Sequence, residues 1–206
     1  MKKVILLLLA FAVIMQTNAQ QPPNTLNVKN NGGATGNGIV DDTDEIKQTI
    51  TNAASQGKDV YFPTGQYKIT SEITLSGGVS CYGDASGVSV IKSSTRIAFG
   101  DSDGNTAISN IEIKNLFFMN VQLNINGTNK DNIHMKQCVF AYAVDNLNTA
   151  STGDITSFRR GKNCSFDGCI FLNQENAWNQ KGISTYKAQN FTLQHCIFGL
   201  DLGNLT

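Results

Sequence analysis

The sequence predicts an all-β solenoid, and two observations carry that prediction. A nine-residue phrase occurs four times, beginning at Asn110, Asn132, Asn163 and Asn190, with spacings of 22, 31 and 27 residues. Each copy alternates apolar and polar residues, breaks after its fourth residue, and ends apolar-Phe, as in Asn110-Ile-Glu-Ile-Lys-Asn-Leu-Phe-Phe118. A sandwich of hairpins would have no reason to repeat the phrase, which argues against it. Two short strands and a corner at such a period make one coil, and a coil cannot bury its apolar face alone. Coils therefore stack ~4.8 Å apart around one shared core.

Period-two parity sets Ile111, Ile113, Leu116 and Phe118 inward, with their equivalents on later coils. Stacking then aligns Phe118, Phe140, Phe171 and Phe198 in one ladder, and Leu116, Cys138, Cys169 and Cys196 in another. The four leading asparagines are expected to form an amide ladder at a corner, as stacked identical side chains can. All five cysteines, with Cys81 and Cys164, fall on inward positions. They are expected to be reduced, packed as small apolar groups, and their spacing offers no metal site.

The chain opens on Lys2-Lys3, an apolar run from Val4 to Met15, and Thr17-Asn18-Ala19. This is the pattern of a secretory signal peptide over residues 1–19, cleaved after Ala19, and the run is too short to span a bilayer. A secreted or periplasmic location follows, with residues 20–206 as one domain. Lys+Arg and Asp+Glu are balanced at 16 each, and removing Lys2 and Lys3 leaves a formal charge of −2. With no basic patch or tail, nucleic acid is not an expected partner.

In chain order, Asn27 to Lys29 begins the first strand and Asn30 to Gly38 is a glycine-rich loop. Gly36-Asn37-Gly38 is not a nucleotide-binding fingerprint, because Asp41 stands where its third glycine belongs and no βαβ pattern follows. Asp42-Thr43-Asp44-Glu45 has the form of a capping box, predicting a helix over about 43–56 with Asp42 bonded to the Glu45 N–H. Ile46, Ile50, Ala53 and Ala54 give that helix an apolar stripe, and Gly57 stops it. A lone amphipathic helix ahead of a solenoid is expected to cover the open end of the core. Short strands follow at Asp59–Phe62, Gln66–Thr70, Glu72–Leu75, Val79–Tyr82 and Val88–Lys92, separated by Pro63, Gly65, Gly77-Gly78 and Gly83 to Gly87.

These residues in combination, from Asn27-Val28-Lys29 through Gly36-Asn37-Gly38, Asp41-Asp42-Thr43, the helix, Val60-Tyr61-Phe62-Pro63, Gly65 and Tyr67, resemble the amino-terminal entry of the pectate-lyase superfamily. More narrowly, they are similar to the rhamnogalacturonase and epimerase type. The resemblance covers roughly Asn27 to Ile91. It implies a right-handed parallel β-helix and a polysaccharide substrate, commonly a polyuronate. It also implies calcium as a candidate ion, although the sequence shows no acidic cluster to hold one. It transfers no reaction, since the fold hosts lyases, hydrolases, epimerases and inactive adhesins. The Asn-Thr-Asp, Gly-His-Gly and Arg-Ile-Lys motifs of the related pectin hydrolases are absent.

The outward positions stack into two columns, Glu112, His134, Ser165, Thr192 and Lys114, Lys136, Asp167, Gln194. Elimination or epimerisation of a uronate requires a cation against the carboxylate and a base for the C5 proton. Lys136, Arg159 and Arg160 are the candidate cations. His134, or Lys136 with a depressed pKa, is the candidate base. Asp167 is expected to pair with Lys136 one coil away. Lys114 and Trp178 are candidate substrate-binding residues. Hydrolysis would need two carboxylates across the scissile bond, and Glu112 and Asp167 sit two coils apart. The long insertion Asp145–Gly161, ending in Arg159-Arg160, is expected to border the site. A non-catalytic carbohydrate-binding or adhesive β-helix is the alternative, as is an inactive amino-terminal fragment. Only eight residues follow Phe198, so the sequence predicts an uncapped, truncated carboxyl end and end-to-end self-association.

Overall fold

The computed structural model describes residues 21–101, 104–141, 156–172 and 183–199. Every strand pairing in it is parallel. One seven-stranded sheet runs β1 (Thr25–Asn27), β3 (Asp59–Phe62), β6 (Cys81–Gly83), β8 (Ile108–Lys114), β10 (Lys130–Lys136), β13 (Ser165–Asp167) and β16 (Thr192–Gln194). The second sheet follows β2 (Asn37–Asp41), β4 (Gly65–Lys68), β7 (Ser89–Asp101), β9 (Leu116–Asn126), β11 (Val139–Ala141), β14 (Ile170–Leu172) and β17 (Ile197–Phe198). Strands β7 and β9 continue past a corner, where the second half of β7 pairs with β5 (Ile73–Thr74), that of β9 pairs with β12 (Thr156–Arg159), and β12 pairs in turn with β15 (Ile183–Tyr186). Three parallel faces therefore surround one core, the architecture of a parallel β-helix.

The repeat phrase supplies two faces and the corner between them. Its first position takes a left-handed backbone at Asn110, Asn132, Asn163 and Asn190, with φ of 54, 55, 51 and 51°. Its sixth position does the same at Asn115, Gln137, Gly168 and His195. Each single left-handed residue turns the chain from one face to the next without breaking the parallel register. Asparagine tolerates this conformation better than most residues, which explains its place at the head of every copy.

The inward positions fill as parity requires. Ile111, Ile113, Leu116, Phe118, Ile133, Met135, Cys138, Phe140, Cys164, Phe166, Cys169 and Phe171 are all buried. The phenylalanine ladder is present, with ring centroids 5.2, 5.0 and 4.6 Å apart from Phe118 through Phe140 and Phe171 to Phe198, and planes within 10°. In the last described coil Leu193 and Phe198 are about half exposed. All five cysteines are free, and Cys81, Cys138, Cys164 and Cys169 are buried, whereas Cys196 is only partly so. Cys138, Cys169 and Cys196 stack along one line, and each thiol donates to a carbonyl of the preceding coil, at Ile113, Met135 and Phe166. Burial pushes the Cys164 thiol up to about 11, so it is not an available nucleophile.

Helix α1 (Thr43–Gln56) covers the amino-terminal end of the core with Ile46, Ile50 and Ala53. Thr49 joins that buried stripe in place of Ala54, which is exposed. Gly57 adopts a φ of 61° and ends the helix, its N–H reaching Ala54 and that of Lys58 reaching Ala53. The expected capping box does not form. Asp42 precedes the helix without capping it, and its buried carboxylate turns back to the glycine-rich loop. There it accepts from the Thr35 N–H at 2.6 Å, the Thr35 hydroxyl at 2.9 Å and the Gly36 N–H at 3.1 Å. Asp41 instead accepts from the Thr43 N–H and hydroxyl. Three donors on one carboxylate outweigh a single cap bond, so Asp42 ties the loop to the helix entry. Asp42→Ala would remove three hydrogen bonds to a charged acceptor and should cost about 2–3 kcal/mol, not the ~1 kcal/mol of a lost cap. Urea unfolding of the purified variant measures the difference.

Candidate functional site

The parallel register turns the outward face of the first sheet into two continuous columns. Asn27, Tyr61, Tyr82, Lys114, Lys136, Asp167 and Gln194 lie side by side on successive strands. Beside them, Glu112, His134, Ser165 and Thr192 form the second column, as the sequence predicted. Neighbours within a column are separated by one strand spacing, ~4.8 Å.

Tyr61 and Tyr82 lie outside the four repeat phrases, although the alternation in Val60-Tyr61-Phe62 and Cys81-Tyr82-Gly83 sets both outward. They place two aromatic rings in the same column as the lysines, Tyr61 buried and Tyr82 partly exposed. Burial first, then the charge of Asp84, pushes the Tyr61 phenol up to about 12. Burial also raises the Tyr82 phenol, against a hydrogen bond from Ser80. Both phenols are therefore protonated at neutral pH.

Lys136 pairs with Glu112, diagonally across the columns, and not with Asp167. The Glu112 hydrogen bond is the main reason its ammonium is held above the ordinary lysine range. Lys136 is therefore a permanent cation, and the depressed pKa required of a lysine base is contradicted. Asp167 is engaged by His195, whose Nδ1 lies 2.8 Å from its carboxylate in an exposed pair. Exposed pairs of this kind contribute under ~1 kcal/mol each. Lys114, flanked by Tyr82 and Lys136, makes no side-chain hydrogen bond or ion pair among the described residues.

His134 is held at both ring nitrogens. Nδ1 lies 2.7 Å from the Ser165 hydroxyl and Nε2 lies 2.7 Å from Asn132 Oδ1. This contact also interrupts the expected asparagine ladder. Asn132 donates to Asn110 at 2.9 Å and Asn190 donates to Asn163 at 2.9 Å, but Asn163 turns to Asp131 at 2.7 Å. The middle rung is missing because the Asn132 oxygen serves His134.

Arg159 and Arg160 do not join the lysines. Arg159 ends strand β12 on the third face, in register with Asn126 and Tyr186, and so lies on a strand and not in a loop. Arg160 has a φ of 68° at the following corner. The expected cluster of Arg159, Arg160 and Lys136 against one carboxylate is thus split between faces. Trp178 and the insertion up to residue 155 lie outside the described residues. Among the described residues no group of three His, Cys, Asp or Glu side chains could hold a metal ion. Neither column offers the several acidic oxygens that calcium requires.

Stacked parallel coils around one core define a parallel β-helix protein. The chain belongs to the family described as rhamnogalacturonase A/epimerase, pectate lyase-like, which it matches over residues 25–204. It is 42% identical over 52 residues to a glucan 1,3-beta-glucosidase of Cochliobolus carbonum, a stretch covering 25% of this chain and 7% of that protein. In structure it is similar to PfbA, a surface adhesin of Streptococcus pneumoniae, with a TM-score of 0.62 at 18% identity over 84% of this chain and 48% of the other. The A-module of a mannuronan C-5 epimerase of Azotobacter vinelandii gives a TM-score of 0.53 at 18% identity, over 84% of this chain and 56% of the module. The chain thus spans under half of the adhesin structure and a small fraction of the glucosidase. At these identities the solved structures attest to the fold alone.

Proposed function

We propose that the chain is an exported β-helix protein that acts on a uronate-containing polysaccharide along the outer face of its first sheet. The observation that carries this reading is the Lys114 ammonium, unpaired among the described residues and set in register between Tyr82 and Lys136. A pyranose can stack on the tyrosine while its carboxylate meets the lysines, which neutralise the charge that builds up when the C5 proton leaves. His134, in the adjacent column, is the base for elimination or epimerisation, acting from Nδ1 once the Ser165 hydroxyl turns aside. Hydrolysis is disfavoured, because Glu112 and Asp167 lie two strand spacings apart, roughly 10 Å, and each already has a partner. The signal-peptide pattern of residues 1–19 supports export.

Absorbance of newly formed unsaturated uronate, with isotope exchange at C5 for epimerisation, tests the reading on polygalacturonate and polymannuronate. Lys114→Ala should weaken binding about tenfold, the loss of one charge-assisted contact, and His134→Ala should abolish turnover while leaving binding. Binding without turnover is a second reading, and the engagement of both His134 nitrogens favours it. Wild-type protein that binds the polymer, yields no product and is indifferent to His134→Ala would establish that second reading.

A further inference from the structure

The same face contains a hydrogen-bonded chain of which the uronate reading uses only the His134 imidazole. Asn132 donates its amide nitrogen to Asn110 at 2.9 Å, and this fixes its oxygen toward His134. That oxygen can only accept, so His134 Nε2 must carry the ring proton of the neutral imidazole. Nδ1 is then the lone-pair nitrogen, and the Ser165 hydroxyl, 2.7 Å away, donates to it. The tautomer thus follows from the amide ladder two residues upstream. A hydroxyl on a base, with that base oriented by a third group, is the arrangement that activates a serine nucleophile. On the other side of Ser165, in register, stands the exposed Thr192, whose hydroxyl has no partner among the described residues.

We propose that Ser165, His134 and Asn132 form a nucleophile relay that hydrolyses O-acyl esters, such as an acetyl group carried on a sugar hydroxyl. Ser165 Oγ attacks the ester carbonyl carbon while its proton passes to His134 Nδ1. The tetrahedral oxyanion takes a hydrogen bond from the Thr192 hydroxyl. Collapse breaks the bond to the sugar oxygen, which leaves with the proton from Nδ1, and an acyl group remains on Ser165. Water then attacks that acyl-serine, giving its proton to Nδ1. Collapse of this second adduct returns the proton to Ser165 and releases the carboxylic acid. No oxidant, metal or cofactor enters the balance. Ser165 and His134 are catalytic residues here, and Asn132 is a positioning residue. The inference does not rest on the uronate reading, because an ester needs neither Lys114 nor a sugar carboxylate.

The test uses the full chain with a fluorophosphonate probe and 4-nitrophenyl acetate, the labelled residue being located by peptide mass mapping. Phosphonylation at Ser165 is expected, slowed about a hundredfold in His134→Ala for want of the general base. Asn132→Gly retains the left-handed corner but removes the acceptor, and should slow labelling about tenfold or more. Asn132→Asp, which restores an acceptor and tolerates the same backbone, should recover most of the rate. A purely structural Asn132 would show no such rescue. Unlabelled Ser165 in protein whose circular dichroism is native, or labelling indifferent to His134→Ala, overturns the proposal. Failure of uronate turnover with Ser165 labelled would overturn only the uronate reading.

Discussion

Phe140→Ala is expected to destabilise the domain by about 3–5 kcal/mol, the range for emptying a packed aromatic site. Phe140 is fully buried and stacks on both Phe118 and Phe171, with a third, edge-on contact to Phe166. Truncation therefore removes the middle rung of the ladder and leaves a cavity bounded by rings on two coils. Those rings cannot collapse into it without shifting strands whose register is set by backbone hydrogen bonds. In a solenoid, stability is carried by the contacts of each coil with its neighbours, so the loss falls on the coupling between two coils. Hydrogen exchange should show the coils beyond Phe140 opening before those ahead of it. Phe140→Leu, which refills most of the volume, should recover a good part of the loss.

Lys130→Met should cost a similar ~3–5 kcal/mol, for an electrostatic reason. Lys130 is fully buried, and its ammonium lies 2.5 Å from the nearly buried carboxylate of Asp101. It also donates to the Thr106 carbonyl, while Asp101 accepts from the N–H groups of Gly104 and Thr106. The pair holds the turn after strand β7 against the start of β10. Removing the cation alone leaves a desolvated carboxylate held by the N–H groups of Gly104 and Thr106. The double variant Lys130→Met with Asp101→Leu removes both charges and should recover much of the loss, which a double-mutant cycle in urea quantifies. A loss under ~1 kcal/mol in the single variant would mean that the pair is solvated like a surface bridge.

How far the sequence discloses this molecule depends on whether repetition or side-chain choice decides a feature. The repeat phrase repeats a backbone, so the inward ladder from Phe118 to Phe198 and both outward columns follow from alignment alone. The third face is less legible. Val121-Gln122-Leu123-Asn124-Ile125 does alternate, but its partner Thr156–Arg159, and Ile183–Tyr186 beyond it, lack the Asn-to-Phe frame, so the sequence places Arg159 in a loop. Partner choice is not fixed by register. Lys136 has Asp167 beside it and Glu112 on the diagonal, and it takes the diagonal because His195 engages Asp167. Asp42 misleads for a related reason. Its local context is that of a cap, but the loop at Thr35 and Gly36 brings it three donors, and a non-local set of bonds displaces the local one.

On the proposed function, a polysaccharide lies along the first sheet, over the column containing Tyr82, Lys114 and Lys136. Amide chemical-shift mapping of the full chain, titrated with short oligogalacturonates and oligomannuronates, tests it most directly. Saturable shifts confined to strands β6, β8 and β10, and lost in Lys114→Ala, are the predicted result. Shifts centred on Arg159 and Tyr186 of the third face, or no saturable shift with any acidic oligosaccharide, would contradict it.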